Sequence, residues 1–147
     1  MEDSGIHLWL VLWKAYEAVC AHAVEHIHSL GLGFSDFAVL ELLLHKGPTP
    51  VNTIGIKVHL TSGSITAAVD RLERKNLVIR CNDEGDRRSR VVHLTPSGRE
   101  LIEGAFRDHV RALELATAGL TPEERGQAVS LLKKLGIAAK CKEIHQI

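Results

Sequence analysis

The chain has 147 residues, 45% hydrophobic and 24% charged, with 18 basic residues against 18 acidic ones. That length suits one domain with a real core, and the composition excludes a disordered chain. No apolar run reaches the ~20 residues of a membrane span, and acidic Glu2 and Asp3 stand where a secretory leader wants basic residues, so neither a membrane nor an export role is expected.

Ile6 to Leu30 reads as a long helix, with Trp9, Trp13, Tyr16, Cys20, Ala23 and Ile27 recurring at three- and four-residue steps. Its first half is apolar nearly all round, which in a chain this short predicts a second burying surface on another subunit. After Gly31 and Gly33, Ser35 is the expected N-cap of a helix to about His45, with Phe37, Leu40, Leu43 and Leu44 facing inward. Thr49 before Pro50 predicts a cap with proline at the first helical position, opening a two-turn helix with Ile54 and Val58 inside. Thr61 is the expected cap of the next helix, whose buried stripe is Ile65, Val69 and Leu72. Two strands follow, Leu77–Arg80 and Val91–Leu94, joined by a loop with Gly85 at its turn. Thr95-Pro96 repeats the cap-plus-proline signal for a helix to about Ala118, in which Gly98 and Gly104 lower the propensity. Thr121-Pro122-Glu123-Glu124 is a capping box for a last helix carrying Val129, Leu132, Leu135 and Ala139 on one side.

Two short helices joined by a tight turn, the second opened by small polar residues, make a helix-turn-helix. The major groove is about 12 Å wide and admits such a helix. The loop between the strands carries Asp86, Arg87, Arg88 and Arg90, a composition suited to phosphates and to a narrow minor groove. The fold expected is therefore mainly α with a small β-hairpin, a winged helix-turn-helix flanked by long helices. A net charge of zero speaks against a DNA partner until its distribution is read. Residues 1–46 hold two basic against six acidic residues, 47–99 nine against five, and 100–147 seven against seven. The positive charge gathers where the reading helix and loop lie, and screening beyond about 8 Å makes local charge decisive.

Three segments, SGSITAAVDRLERKNLVIR (Ser62 to Arg80), DRRSRVVHLTPSG (Asp86 to Gly98) and LTPEER (Leu120 to Arg125), in this order and spacing, resemble the MarR family of bacterial transcription regulators. The resemblance runs from about Leu8 to Ala139. GPTPVNTIG (Gly47 to Gly55) is similar to members that answer phenolic or quinone-type stress. Three widely spaced cysteines fit a reducing cytoplasm, and the resemblance implies a homodimer that binds a palindromic operator in double-stranded DNA, usually as a repressor, with no catalytic role and no cofactor. It implies one domain over 1–147, with dimerisation helices at about 6–30 and 96–144 and a winged-helix lobe at about 35–94. Ser62, Ser64 and Thr66 then touch phosphates and base edges, as the free N–H groups of a helix start allow. Asp86 orients an arginine, Arg88 enters the minor groove, and Arg87 meets phosphate or Asp86. Arg71, Arg74 and Arg90 are further candidate DNA contacts, although Asp70 at i, i+4 from Arg74 is the expected ion-pair partner on a merely solvated face. Ala67 departs from relatives with a longer base-reading side chain there, which moves weight from direct readout to shape and wing contacts.

The same resemblance places an effector, phenolic or quinone-like, between the dimer helices and the DNA-binding lobe, where Trp9, Trp13 and Tyr16 are candidates, although core and dimer packing explains those aromatics as well. Cys20, one turn from Tyr16, is a candidate redox sensor, set against its bland reading as a small buried hydrophobe. Cys20, Cys81 and Cys141 are widely spaced without a CxxC, so no disulfide framework or zinc finger is expected. His22-Ala-Val-Glu25-His26 matches the H-x-x-E-H pattern of a metalloprotease class, and a small zinc-dependent hydrolase on His22, Glu25 and His26 is the competing reading. It lacks a third ligand and a cleft, so polar residues on the exposed side of the first helix are preferred and no metal is expected. A winged helix used only for protein contacts is the third reading.

Overall fold

The computed structural model describes residues 4–82, 85 and 90–141, and the wing residues Asp86, Arg87 and Arg88 lie outside them. Among the described residues the order is α1 (Gly5–Ser29), α2 (Phe34–Lys46), β1 (Thr49–Pro50), α3 (Val51–Lys57), α4 (Ser62–Arg74), β2 (Val78–Asn82), β3 (Arg90–Leu94), α5 (Pro96–Ala116) and α6 (Pro122–Cys141). The expected fold class holds, with three corrections. The sheet has three antiparallel strands in the order β1-β3-β2, not two. Thr49 and Pro50 form its short edge, pairing with Val92 and Val91, so Pro50 rather than Thr49 is the N-cap of α3. Proline suits that edge because it has no N–H to offer a neighbour. Ser35 does not cap α2 either; Gly33 does, without a side-chain bond, and the helix opens at Phe34.

The other caps fall where the sequence puts them. Thr61 accepts from the Ser64 N–H at 3.2 Å, and Thr95 from the Gly98 N–H at 2.9 Å. The capping box closes in both directions: Thr121 N–H donates to Glu124 at 2.8 Å, and Glu124 N–H to Thr121 Oγ1 at 3.2 Å. Each such cap is worth about 1 kcal/mol.

Both helices of the helix-turn-helix stop on a non-glycine residue with positive φ. His59 (φ 57°) ends α3 and Asn76 (φ 56°) ends α4. In each case the next residue's N–H reaches back into the last turn, Leu60 to the Gly55 carbonyl and Leu77 to the Leu72 carbonyl, both at 2.9 Å. This closure satisfies orphan carbonyls and turns the chain sharply. The second turn sends the chain into β2 and leaves the Leu77 carbonyl facing α5. A Cβ built on Gly98 would lie 1.9 Å from that oxygen. Gly98, expected only to weaken α5, is what lets α5 seat on the turn, while Thr95 Oγ1 donates to the Asn76 carbonyl at 2.7 Å.

The core lies within the winged-helix lobe and the stretches of α1 and α5 packed against it. Ile27 of α1, Phe37, Val39, Leu40 and Leu43 of α2, Ile54 of α3, Ile65, Val69 and Leu72 of α4, Val78 and Val92 of the sheet and Ile102 of α5 are each at most 2% exposed. Each buried side chain of this size contributes about 1.5–3 kcal/mol. The two ends of the chain are different. In α1 only Ala23 and Ile27 are buried, and in α6 no residue is. No single helix among the described residues is long and apolar enough to cross a membrane.

Candidate nucleic-acid interface

The surface of α4 follows from its amphipathicity. Ile65, Ala68, Val69 and Leu72 are buried, which turns Ser62, Ser64, Thr66, Ala67, Asp70 and Arg74 outward. At its start Thr61 Oγ1 donates to Ser64 Oγ at 2.9 Å, and Thr66 Oγ1 donates to the Ser62 carbonyl at 2.9 Å. Both serines and Thr66 are exposed, beside amide groups that offer an anion a partial positive charge. Arg90, exposed at the start of β3, lies across a cleft of about 370 Å³ that it lines with Thr66, Asp70, Arg80, Pro50, Val51 and Asn52. The helix start and the wing root therefore share one face.

The cations of this region divide into exposed and engaged. Arg74 is exposed and, among the described residues, bonds to its own helix, donating from Nε to the Asp70 carbonyl at 3.3 Å. The expected Asp70–Arg74 ion pair is replaced by Asp70–Arg80 at 2.7 Å. Arg80, 18% exposed, also pairs with Glu73 and donates to the Thr66 carbonyl at 3.3 Å. Two carboxylates thus neutralise it, and it fastens β2 to α4. Arg71, a candidate phosphate contact with its side chain 41% exposed, has its guanidinium on Asp36 of α2 at 2.6 Å, and that hydrogen bond, first among the causes, raises its pKa. The carboxylate is buried, so its ion-pair partner is held in place. The sequence reading passed over Asp36; an acidic residue beside inward-facing Phe37 was the available signal.

The groups proposed for sensing lie elsewhere. Trp9, Trp13 and Tyr16 are 57%, 50% and 64% exposed, with the two indoles 6.4 Å apart. Tyr16 and Cys20 lie one turn apart on α1, and interaction with the Cys20 thiol raises the tyrosine pKa. Cys20 is half-buried rather than fully enclosed. The junction of α1, α2 and α5 instead holds His26, His109 and Phe37, with His109 5.6 Å from His26 and 4.8 Å from Phe37. His26 is thus not on the exposed side of α1 with His22 and Glu25; it turns into the α5 contact. Burial, ahead of the opposing charge of Glu41 and the like charge of His26, lowers the His109 pKa.

The MarR family model matches residues 35–89, the span from the first turn of α2 to the wing. HTH-type transcriptional regulator MhqR of Bacillus subtilis is 41% identical over 140 residues, which cover 95% of this chain and 97% of that protein. The chain belongs to the MarR family. It is a winged-helix transcription regulator and not an enzyme, which sets aside the hydrolase reading of His22, Glu25 and His26. BpsR of Bordetella bronchiseptica, solved in a study of how 6-hydroxynicotinic acid regulates its DNA binding, superposes with a TM-score of 0.78 at 27% identity over 88% of this chain and 98% of that one. A mutant MarR of E. coli complexed with operator DNA has the same fold, with a TM-score of 0.80 at 23% identity over 92% of this chain and 97% of that one.

Proposed function

We propose that this MarR-family chain is a cytoplasmic, homodimeric repressor that binds a palindromic operator and releases it in response to a small aromatic effector. The observation that carries the dimer is the open apolar surface at both ends of the chain. Ile6, Leu8, Trp9, Leu10, Val11 and Trp13 of α1 are 42–63% exposed, and Val129, Leu131, Leu132, Leu135 and Ile137 of α6 are 37–66% exposed. Surface of this kind requires a cover. A second copy presenting the same helices closes the surface on itself by two-fold symmetry. On this reading about 6–30 and 96–144 dimerise, and about 35–94 meets DNA. The two reading helices then face half-sites about one helical turn apart, which is the reason to expect a palindrome.

Within each half, Ser62, Ser64 and Thr66 meet phosphates and base edges, Arg74 and Arg90 meet the backbone, and the wing residues Asp86, Arg87 and Arg88 reach the minor groove. The resemblance of Gly47 to Gly55 to members that answer phenolic or quinone-type stress, and the hydroxylated aromatic acid that regulates BpsR, support a phenolic or quinone-like effector. The test is a titration of selected operator duplex: Arg88→Ala should weaken binding by about 1–3 kcal/mol, or roughly five- to 150-fold. Unchanged affinity would remove the wing from the mechanism. Wild-type binding should fall steeply with added salt; a flat response would favour the winged helix as a protein-contact module. The position of Cys20 one turn from Tyr16, half-buried on α1, supports a second input, oxidant sensing at Cys20.

A further inference from the structure

We propose that Asp36 and Arg71 are positioning residues for operator recognition, a clamp that fixes the inclination of α4 against the corner between α1 and α2. The proposal rests on the reading that α4 enters the major groove.

The clamp has several independent bonds. Arg71 Nε donates to both oxygens of Asp36 at 3.2 and 3.3 Å, and Nη2 donates to Asp36 Oδ1 at 2.6 Å and to Ser35 Oγ at 3.2 Å. One turn further on, Lys75 Nζ donates to the Gly31 carbonyl at 3.0 Å. The two last turns of α4 are therefore tied to residues 31–36. Asp36 is 2% exposed, so its charge is tolerable only with this partner. The geometry also fixes direction, because a bidentate guanidinium–carboxylate pair is planar and holds both angle and distance.

Toward the reading end Ile65 packs in the core and Arg80 bonds the Thr66 carbonyl from β2, but among the described residues no bidentate ion pair ties that first turn to α2. Ser62 precedes Arg71 by nine residues, about 14 Å of helix, so a swing of about 10° at the clamp would move the tip by about 2.5 Å. A shift of that size breaks hydrogen bonds to base edges while leaving phosphate attraction almost intact. The same corner receives the end of α1, where Ile27 enters the core and the Leu30 N–H bonds to the Ile27 carbonyl at 3.1 Å. A displacement of α1 by an effector reaches α4 through this joint.

The experiment uses the full-length chain and two duplexes, one selected by this protein from a random pool and one scrambled. Each is titrated by fluorescence anisotropy across a salt series, at a temperature where circular dichroism shows folded protein. Asp36→Asn and Arg71→Gln are each expected to lower affinity for the selected duplex about tenfold or more. Binding to the scrambled duplex and the salt slope should stay unchanged, and the double variant should be no worse than the worse single one. Tighter binding of both duplexes by Asp36→Asn, or a salt slope shallower by about 0.9 in Arg71→Gln, would make Arg71 a phosphate ligand and overturn the proposal. A lower melting temperature with an unchanged ratio between duplexes would also overturn it, since the clamp would then hold only the fold. If either variant fails to fold, Arg71→Lys keeps a charge without the bidentate geometry; a reduced ratio supports the clamp and an unchanged one refutes it. Wild-type protein that made no distinction between the duplexes would instead overturn the DNA reading.

Discussion

The lobe from α2 to β3 and the two ends of the chain solve the burial problem in opposite ways. The lobe encloses most of its apolar residues within one subunit: Leu40, Leu43, Ile54, Ile65, Leu72 and Val92 are at most 1% exposed, with Phe34, Ile56 and Ile79 left outside. The outer half of α1 and the whole of α6 carry comparable side chains in the open, and the Arg125–Glu114 ion pair ties the start of α6 to α5. A fold that completes itself in one place and not in another assigns different tasks to the two places. The closed lobe can hold a reading helix at a fixed angle. The open ends can bring two such lobes together, and a change in how they pack alters the spacing between reading helices without unfolding either lobe.

The largest expected effect breaks the lobe itself. Gly98→Ala puts a methyl group into the Leu77 carbonyl and should cost about 4 kcal/mol or more, read as collapse of the thermal transition. A mild loss would show that α5 can lift off the α4–β2 turn. Next comes a substitution that spares the lobe and breaks the ends. Leu132→Asp should leave a folded protein by circular dichroism, shift sedimentation to the monomer and weaken operator binding by about two orders of magnitude, since avidity between two half-sites is lost. Retention of the dimer would move the interface away from α6.

A smaller effect sharpens the boundary between the regions, where His109 lies. Its pKa is lowered below the ordinary 6.5 by burial, so the unfolded chain binds the proton more readily than the folded one. The resulting stability is complete above about pH 6.5 and is lost as pH falls through the depressed value. His109→Phe should flatten that part of the melting-temperature profile between pH 8 and 5. An unchanged difference between wild type and variant across this range would show that His109 is not the titrating group. The smallest effect concerns the open end of α1. Cys20→Ser should leave operator affinity within about twofold, because a half-buried thiol is replaced by a near-isostere. Loss of quinone- or peroxide-driven release in the same variant would assign the sensing chemistry to Cys20, and intact release would leave it as packing.

Local patterns gave away much of this molecule. Three threonine caps, the helical periods and the small polar opening of α4 are all written in neighbouring residues, because caps and amphipathic stripes depend on spacing within a few turns. Where spacing was read as pairing, it misled. Asp70 was matched with Arg74 on its own helix, but in the folded lobe Arg80 arrives from β2 and takes the carboxylate. Thr49-Pro50 has the form of a helix start, and the approach of β3 makes it a strand edge.

The sequence alone thus determined the order of the six helices and of the two hairpin strands, the family and the segment in which basic residues gather, each being a property of residues close along the chain. Tertiary structure decided which charges remain available. Asp36 and Arg71, 35 residues apart, meet only when α2 and α4 pack, and burial of the carboxylate then commits the arginine. The close approach that requires Gly98 is likewise set by a turn more than twenty residues earlier. Partners so distant leave no periodic trace in a sequence, since their pairing is fixed by how whole helices dock.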